Sequence, residues 1–421
     1  MSEQRVPPHP DLLPQGEGIS CHAPGFPNAN VAHPAVDSAK TRKQVTLSPR
    51  ERDGVRGMEA SKPASFVSSA KIPTRGAASN PTNRFEQIHL ERDADWNPDE
   101  DVLPTTKFYH DRTQKILTSN DSPDIGFTYS INPYRGCEHG CIYCYARPTH
   151  EYLGFSSGLE FETRIMVKTN APQLLRGELS SPRWQPQTVA MSGVTDCYQP
   201  VERKLKLTRG CLEVFAEFRN PVGIVTKNAL VTRDLDLLTE LARHNAVVVF
   251  VSVTTLDADL RKVMEPRTSP PAARLATIRK LADAGVPVGV MIAPVIPGLT
   301  DHEIPNIVAA AAEAGAKSAG SVTLRLPHAV APLFAQWLGT HFPDRREKVL
   351  NRIRSLRGGK LNDPKFGKRM TGAGIFAEQI EQMFNVACRR AGIADNYLQL
   401  STTAFRRPGG KQLGLFETAA H

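Results

Sequence analysis

Cys137, Cys141 and Cys144 stand in the run Asn132-Pro-Tyr-Arg-Gly-Cys-Glu-His-Gly-Cys-Ile-Tyr-Cys-Tyr145, so three thiols share one short loop. Thiolates ligate iron–sulfur clusters and zinc. A [4Fe–4S] cluster takes a thiolate on each iron, and a loop that supplies three leaves the fourth iron open to a ligand from outside the chain. A structural zinc closes with four protein ligands, usually from two paired knuckles. His139 is the nearest further donor, but it lies between two of the cysteines and would have to join them in a cramped chelate. Cys21, Cys197, Cys211 and Cys388 form no second pair. An odd total of seven cysteines in a long chain without a secretory signature also argues against a disulfide framework.

The elements that must position this loop follow it. A chain of 421 residues has room for two or three units at about 150 residues each. Residues 1–82 are rich in Pro, Ser, Ala and charge without a sustained apolar period, and are expected to form a disordered arm. Residues 83–127 read as a lead-in that packs on the core, with an acidic loop at 93–101. From 128 to 342, short apolar runs at 128–132, 164–168, 188–192, 223–226, 247–254, 288–293 and 321–324 read as strands. Helical patterns at 205–218, 232–244, 271–284, 301–314 and 331–341 lie between them. Strand–helix alternation with continuously apolar strands predicts α/β architecture around a parallel sheet buried on both faces, in an open or complete barrel. Residues 343–421 form a mostly helical extension, with helices expected at 346–356 and 376–391, and carry +8 of the net +9 charge. Such a bias suits a nucleic-acid partner or a solvated surface. The N-terminus carries no basic-then-apolar signal and no apolar stretch is long enough to span a bilayer, so the expected location is the cytoplasm.

The segment from 128 to 326 resembles the core of the radical S-adenosylmethionine (SAM) superfamily. Within it, the ending Cys141-Ile-Tyr143-Cys144-Tyr145 is similar to the branch of spore photoproduct lyase and its relatives of unassigned substrate. The resemblance implies a partial (β/α)6 TIM-type barrel. It also implies a [4Fe–4S] cluster on Cys137, Cys141 and Cys144, and SAM chelating the open iron and yielding a 5′-deoxyadenosyl radical. An external electron donor such as flavodoxin or ferredoxin is implied as a partner. By the same resemblance Tyr143 lies against the adenine, Lys227 pairs with the SAM carboxylate, Ser252 contacts SAM, and the run 292–301 turns beside the adenine.

Asp196, Gln199 and Glu202 are candidates for facing the ribose or substrate, and Glu265 and Arg267 for closing the same mouth. Spore photoproduct lyase returns a hydrogen atom from a cysteine after an early strand; alignment puts Gly193 there, with Cys197 close by as the remaining catalytic candidate. The expectation is a radical SAM enzyme acting on a nucleic acid or nucleotide component. The competing expectations are a non-catalytic, metal-dependent nucleic-acid binder, and a radical SAM enzyme acting on a protein or small metabolite.

Overall fold

The computed structural model describes residues 74–85, 105–393 and 399–408. Residues 1–73 of the expected arm, the acidic loop at 93–101, Cys21 and the residues from 409 onward lie outside the described residues. The strands are β1 (Lys107–His110), β2 (Leu117–Ser119), β3 (Tyr129–Ile131), β4 (Tyr134–Arg135), β5 (Arg164–Val167), β6 (Val189–Met191), β7 (Val222–Thr226), β8 (Val247–Ser252), β9 (Val288–Val295) and β10 (Ser318–Thr323). The helices are α1 (Leu159–Thr163), α2 (Ala171–Ser180), α3 (Glu202–Leu205), α4 (Leu207–Phe218), α5 (Leu235–Arg243), α6 (Ala258–Met264), α7 (Pro271–Asp283), α8 (Ile304–Glu313), α9 (Val330–His341), α10 (Arg346–Leu356) and α11 (Ile375–Arg390).

One sheet runs in the order β10-β9-β8-β7-β6-β3-β2, in which β3 and β6 to β10 are parallel and β2 pairs antiparallel with β3. This is the expected partial barrel of six parallel strands. Its strands are apolar on both faces because each face is covered. Val247, Val249 and Val251 of β8 pack outward with Leu212, Phe215 and Leu238 of the helical layer, whereas Val248 and Phe250 point inward against Met291. Burying each such side chain stabilises the fold by about 1.5–3 kcal/mol. Gly289 makes room for this packing, since a Cβ there would lie 2.5 Å from the Phe250 ring.

The strand expected at 164–168 does not join the barrel. As β5 it pairs with β1 and β4 in a separate three-stranded sheet. Its buried residues alternate, the pattern of a strand with one covered face, and Ile165 and Val167 pack with Tyr134, Val201 and Leu207. Three helices, the short α1 among them, lack a counterpart among the expected ones. Helix α2 buries Ala171, Leu175 and Leu179 at four-residue spacing, and the short α6 starts where the Asp257 carboxylate accepts from the Asp259 and Leu260 N–H groups.

The basic extension is largely packed. Helices α10 and α11 lie against α9 and α8, and Leu400 enters the barrel interior beside Val248 and Met291. The loop 357–372 between α10 and α11 spans the unpaired edges of the sheet. On one side Thr323 N donates to Met370 O at 2.8 Å, and the Arg357 guanidinium donates to Leu324 O at 2.9 Å. On the other, Gly367 N and Arg369 Nε donate to Asp124 at 2.7 and 2.8 Å, and Arg369 also donates to Ser122, both in the β2–β3 connection. No helix among the described residues is long and apolar enough to cross a membrane.

Arg369 is fully buried, so removing its partner strands a charge in the interior. Asp124→Ala is expected to cost about 3–5 kcal/mol, read as a shift in the denaturant midpoint. Asp121→Ala, at an exposed neighbour, should stay within about 0.5 kcal/mol of the parent.

Candidate functional site

The cysteine loop leaves β4 and ends in the short 3-10 helix Arg147–Leu153. Cys137 N donates to Phe161 O at 2.9 Å, and Ile142 N donates to Met264 O at 3.1 Å. Gly140 has φ +69°, and a Cβ there would stand 2.7 Å from Glu162 Oε2, so glycine is required twice over. Beneath the loop Arg147 is wholly buried. Its guanidinium donates to Cys141 O at 2.9 and 3.0 Å, to Ser157 O and Gly158 O, and to Glu162 Oε1 at 2.6 Å. Burial pushes all three thiols up; for Cys144 the charges of Arg147 and Lys227 work the other way. A metal that binds here therefore displaces thiol protons.

The three cysteines line a cavity of about 920 Å³, open mouth included, at the C-terminal ends of the barrel strands. Tyr143, Asp196, Lys227 and Ser252 share the lining, with Tyr145, Met291, Ala293, Pro294 and the end of β10 opposite. The Lys227 ammonium donates to Ser252 Oγ at 3.0 Å and Ala293 O at 3.3 Å, and sits 5.9 Å from the Tyr143 ring centroid. Both acceptors are neutral, which leaves its charge and one N–H for an anionic group.

Two buried carboxylates hold this arrangement. Glu265 accepts from the Tyr143 hydroxyl, from Arg274, and from Thr254 Oγ1 at 2.6 Å. Burial alone would raise its carboxyl, but the Arg274 and Lys227 charges and these hydrogen bonds outweigh it and hold it at about 2. Arg274 also donates to Ser252 O at 2.9 Å, so one ion pair braces two lining residues. Asp196 accepts from Thr226 Oγ1 at 2.8 Å, Lys227 N at 2.7 Å and Tyr198 N at 2.9 Å, and lies 3.3 Å from His139 Nδ1. Burial opposes its ionisation, but His139 and these donors prevail and lower its carboxyl. With its oxygens so engaged, Asp196 positions the end of β7 that carries Lys227.

Residues 131–311 match the family model of the radical SAM superfamily. An uncharacterised protein of Mycobacterium tuberculosis strain H37Rv is 40% identical over 234 residues, 55% of this chain and 68% of the relative. The chain belongs to the radical SAM superfamily. A second uncharacterised protein, from Methanocaldococcus jannaschii, is 31% identical over 178 residues, 42% of this chain and 64% of that one. Among solved structures, spore photoproduct lyase complexed with dinucleoside spore photoproduct is 18% identical with a TM-score of 0.48, covering 67% of this chain and 78% of that chain.

The donor set suits the group that radical SAM proteins generally carry. Among the described residues no three Cys, His, Asp or Glu side chains converge on one metal-ion position, as a mononuclear tetrahedral site would need. A cubane does not need that convergence, because it asks for one thiolate on each of three irons.

The structure brings together Cys137, Cys141, Cys144, Tyr143, Asp196, Lys227 and Ser252, and separates other candidates from the cavity. Cys197 lies fully buried in the main apolar core and does not line the cavity. Gln199 is turned under the cysteine loop, accepting from Glu138 N and donating to Gly136 O. Glu202 accepts from Tyr134, Thr208 N and Arg233. Arg267 pairs with Glu138 at 3.0 Å. A side chain at Gly193 would meet Ser130 at 3.0 Å. The sequence reading passed over Arg147, Glu162 and Arg274. Only Arg274 carried a signal: a cation in phase with the buried Pro271, Ile278 and Leu281 of α7.

Because the Glu265 carboxyl is held low, its contribution to stability is present above the ordinary value of 4.5 and is lost as pH falls through about 2. Glu265→Gln is expected to cost about 3–5 kcal/mol at pH 7 by leaving Arg274 unpaired. It should also flatten the acid limb of the stability profile between those values, as followed by urea midpoints across the pH series.

Proposed function

We propose that Cys137, Cys141 and Cys144 hold a [4Fe–4S] cluster and that SAM binds beside it against Tyr143, Lys227 and Ser252, making this protein a radical SAM enzyme. The observation that supports the reading is the opening of three thiols and the Lys227 ammonium onto one cavity at the mouth of a parallel barrel, where such folds carry their chemistry. Cluster and SAM together supply a 5′-deoxyadenosyl radical once an external donor of the flavodoxin or ferredoxin kind provides an electron. The chain's own residues bind, orient and shield. Lys227 meets the SAM carboxylate, Ser252 adds a hydroxyl, and Tyr143, its hydroxyl tied to Glu265, presents its ring. Val225, Met291, Val322 and Leu324 line the wall and keep water from the reacting atoms.

Anaerobic reconstitution followed by electron paramagnetic resonance, with and without SAM, tests this. Cys141→Ala should lose the [4Fe–4S] signal and reductive SAM cleavage together. Lys227→Met should keep the cluster and weaken SAM binding by about 1.5–3 kcal/mol. A full cluster in Cys141→Ala would refute the ligand assignment, and a redox-silent, fully ligated zinc would favour the non-catalytic binder.

For the substrate we propose a nucleic acid or nucleotide component. The ending Cys141-Ile-Tyr-Cys-Tyr145 supports the relation to the spore photoproduct lyase branch. The loop 357–372 adds a physical reason. It holds the cavity wall at β10 and carries exposed Lys360, Lys365 and Lys368, together with Phe366, which is 46% exposed over the Arg369 guanidinium. Cations beside an exposed ring suit a phosphate strand with stackable bases. Direct reversal of a thymine photoproduct is not the reaction proposed, since neither Gly193 nor Cys197 offers a thiol to the cavity. Binding to DNA should weaken log-linearly with salt, and Lys360→Ala/Lys365→Ala/Lys368→Ala should flatten the slope by up to about 0.9 per lost duplex phosphate contact. An unchanged slope, or no binding, would turn the substrate search to proteins and small metabolites.

A further inference from the structure

Residues 74–85 precede the matched core and lie against the cysteine loop. Gly76 N and Ala77 N donate to the two oxygens of Glu162 at 3.1 and 2.9 Å, and Arg75 donates to Glu162 O at 3.2 Å. Glu162 is the carboxylate that pairs with Arg147, whose guanidinium holds the carbonyl of Cys141. Gly76 backs directly onto Gly140, between two of the cysteines; a Cβ at position 76 would fall 1.7 Å from Gly140 O. Ala77 is buried in one apolar cluster with Cys141, Ile142 and Tyr143. Further along, Leu159 N donates to Ser79 O, Ser156 Oγ to Pro81 O, and Asn83 Nδ2 to Glu151 O. The whole segment is thus sewn onto the loop and the helices behind it.

We propose that residues 74–85 form a strap that clamps the cysteine loop, with Glu162 and Arg147 as positioning residues that couple the strap to Cys141. The proposal rests on the reading of the three cysteines as cluster ligands. The strap reaches the loop mainly through backbone groups and one glycine, so it needs no apolar period of its own. Its two N–H groups complete the coordination of a carboxylate that is wholly buried, and that carboxylate fixes the guanidinium that sets the Cys141 backbone. Coupling of this kind is reciprocal: an ordered strap favours metal retention, and a loaded cluster slows strap opening.

The test uses the full chain, reconstituted anaerobically with iron and sulfide. Hydrogen exchange at residues 75–80 should be slow in the unloaded protein and slower once loaded. Gly76→Ala should release iron to a ferrous chelator about ten-fold faster than the parent, the usual scale for disturbing a group behind a metal ligand. Gly177→Ala, at a helical glycine with open space around it, should match the parent. Arg147→Lys should retain iron better than Arg147→Met and keep a parent-like resonance spectrum. Equal release rates in Gly76→Ala and the parent, or free exchange at 75–80 in the loaded parent, would overturn the strap while leaving the cluster intact. If Gly76→Ala does not fold, the exchange of the parent decides. A parent that takes up no iron and sulfide would instead overturn the cluster reading, and the coupling with it.

Discussion

The buried guanidinium of Arg147 is the constraint on which the site depends. Taking such a charge out of water costs several kcal/mol, and the cost is offset only where every remaining N–H finds a partner. Here Glu162 supplies the counter-charge, and the carbonyls of Cys141, Ser157 and Gly158 take the remaining donors. The planar fork fixes directions as well as distances. The path of the chain from Cys141 through Arg147, and its packing against α1, are therefore set together. Two turns of the loop need glycine, so its backbone path is held by these hydrogen bonds together with the packing of Cys141, Ile142 and Tyr143.

The same economy governs the carboxylates around the cavity. Glu162, Glu265 and Asp196 each stand close to the lining, and each is taken up by an arginine, a histidine or backbone N–H groups. Glu138 is tied to Arg267 and to Val201 N. The negative charges near the thiols are thereby spent on holding loops in place. Lys227 remains beside the cysteines with only neutral hydrogen-bond acceptors. That suits the carboxylate proposed to lie against the lysine.

Much of the fold was legible because six barrel strands are short apolar runs between amphipathic helices, and parallel order follows from that alternation. The strand at 164–168 was misplaced because its alternating Ile165 and Val167 were read as continuous burial. The core of the site was legible at Cys137, Cys141 and Cys144, where spacing carries the chemistry, and at Lys227 and Ser252, which end adjacent strands. Gln199, Glu202 and Cys197 failed as cavity residues because the polar loop after β6 folds back beneath the cysteine loop, and nothing in its composition says which face of a turn looks outward. Arg147 and Glu162 were invisible for a related reason. A buried ion pair has no periodic signature, and its partners come from segments joined only by the fold.

An open barrel also has to solve the problem of its edges. Unpaired strands at β10 and β2 would expose backbone donors and acceptors next to the cavity. The loop 357–372 meets this need. It satisfies Thr323 N through Met370 O and gives Leu324 O a donor from Arg357, and it anchors to Asp124 across the gap, while remaining a loop rather than a strand. A seam closed by side chains and turns leaves the β-ladders of the sheet untouched, and its strength rests on the buried Arg369–Asp124 pair rather than on strand pairing.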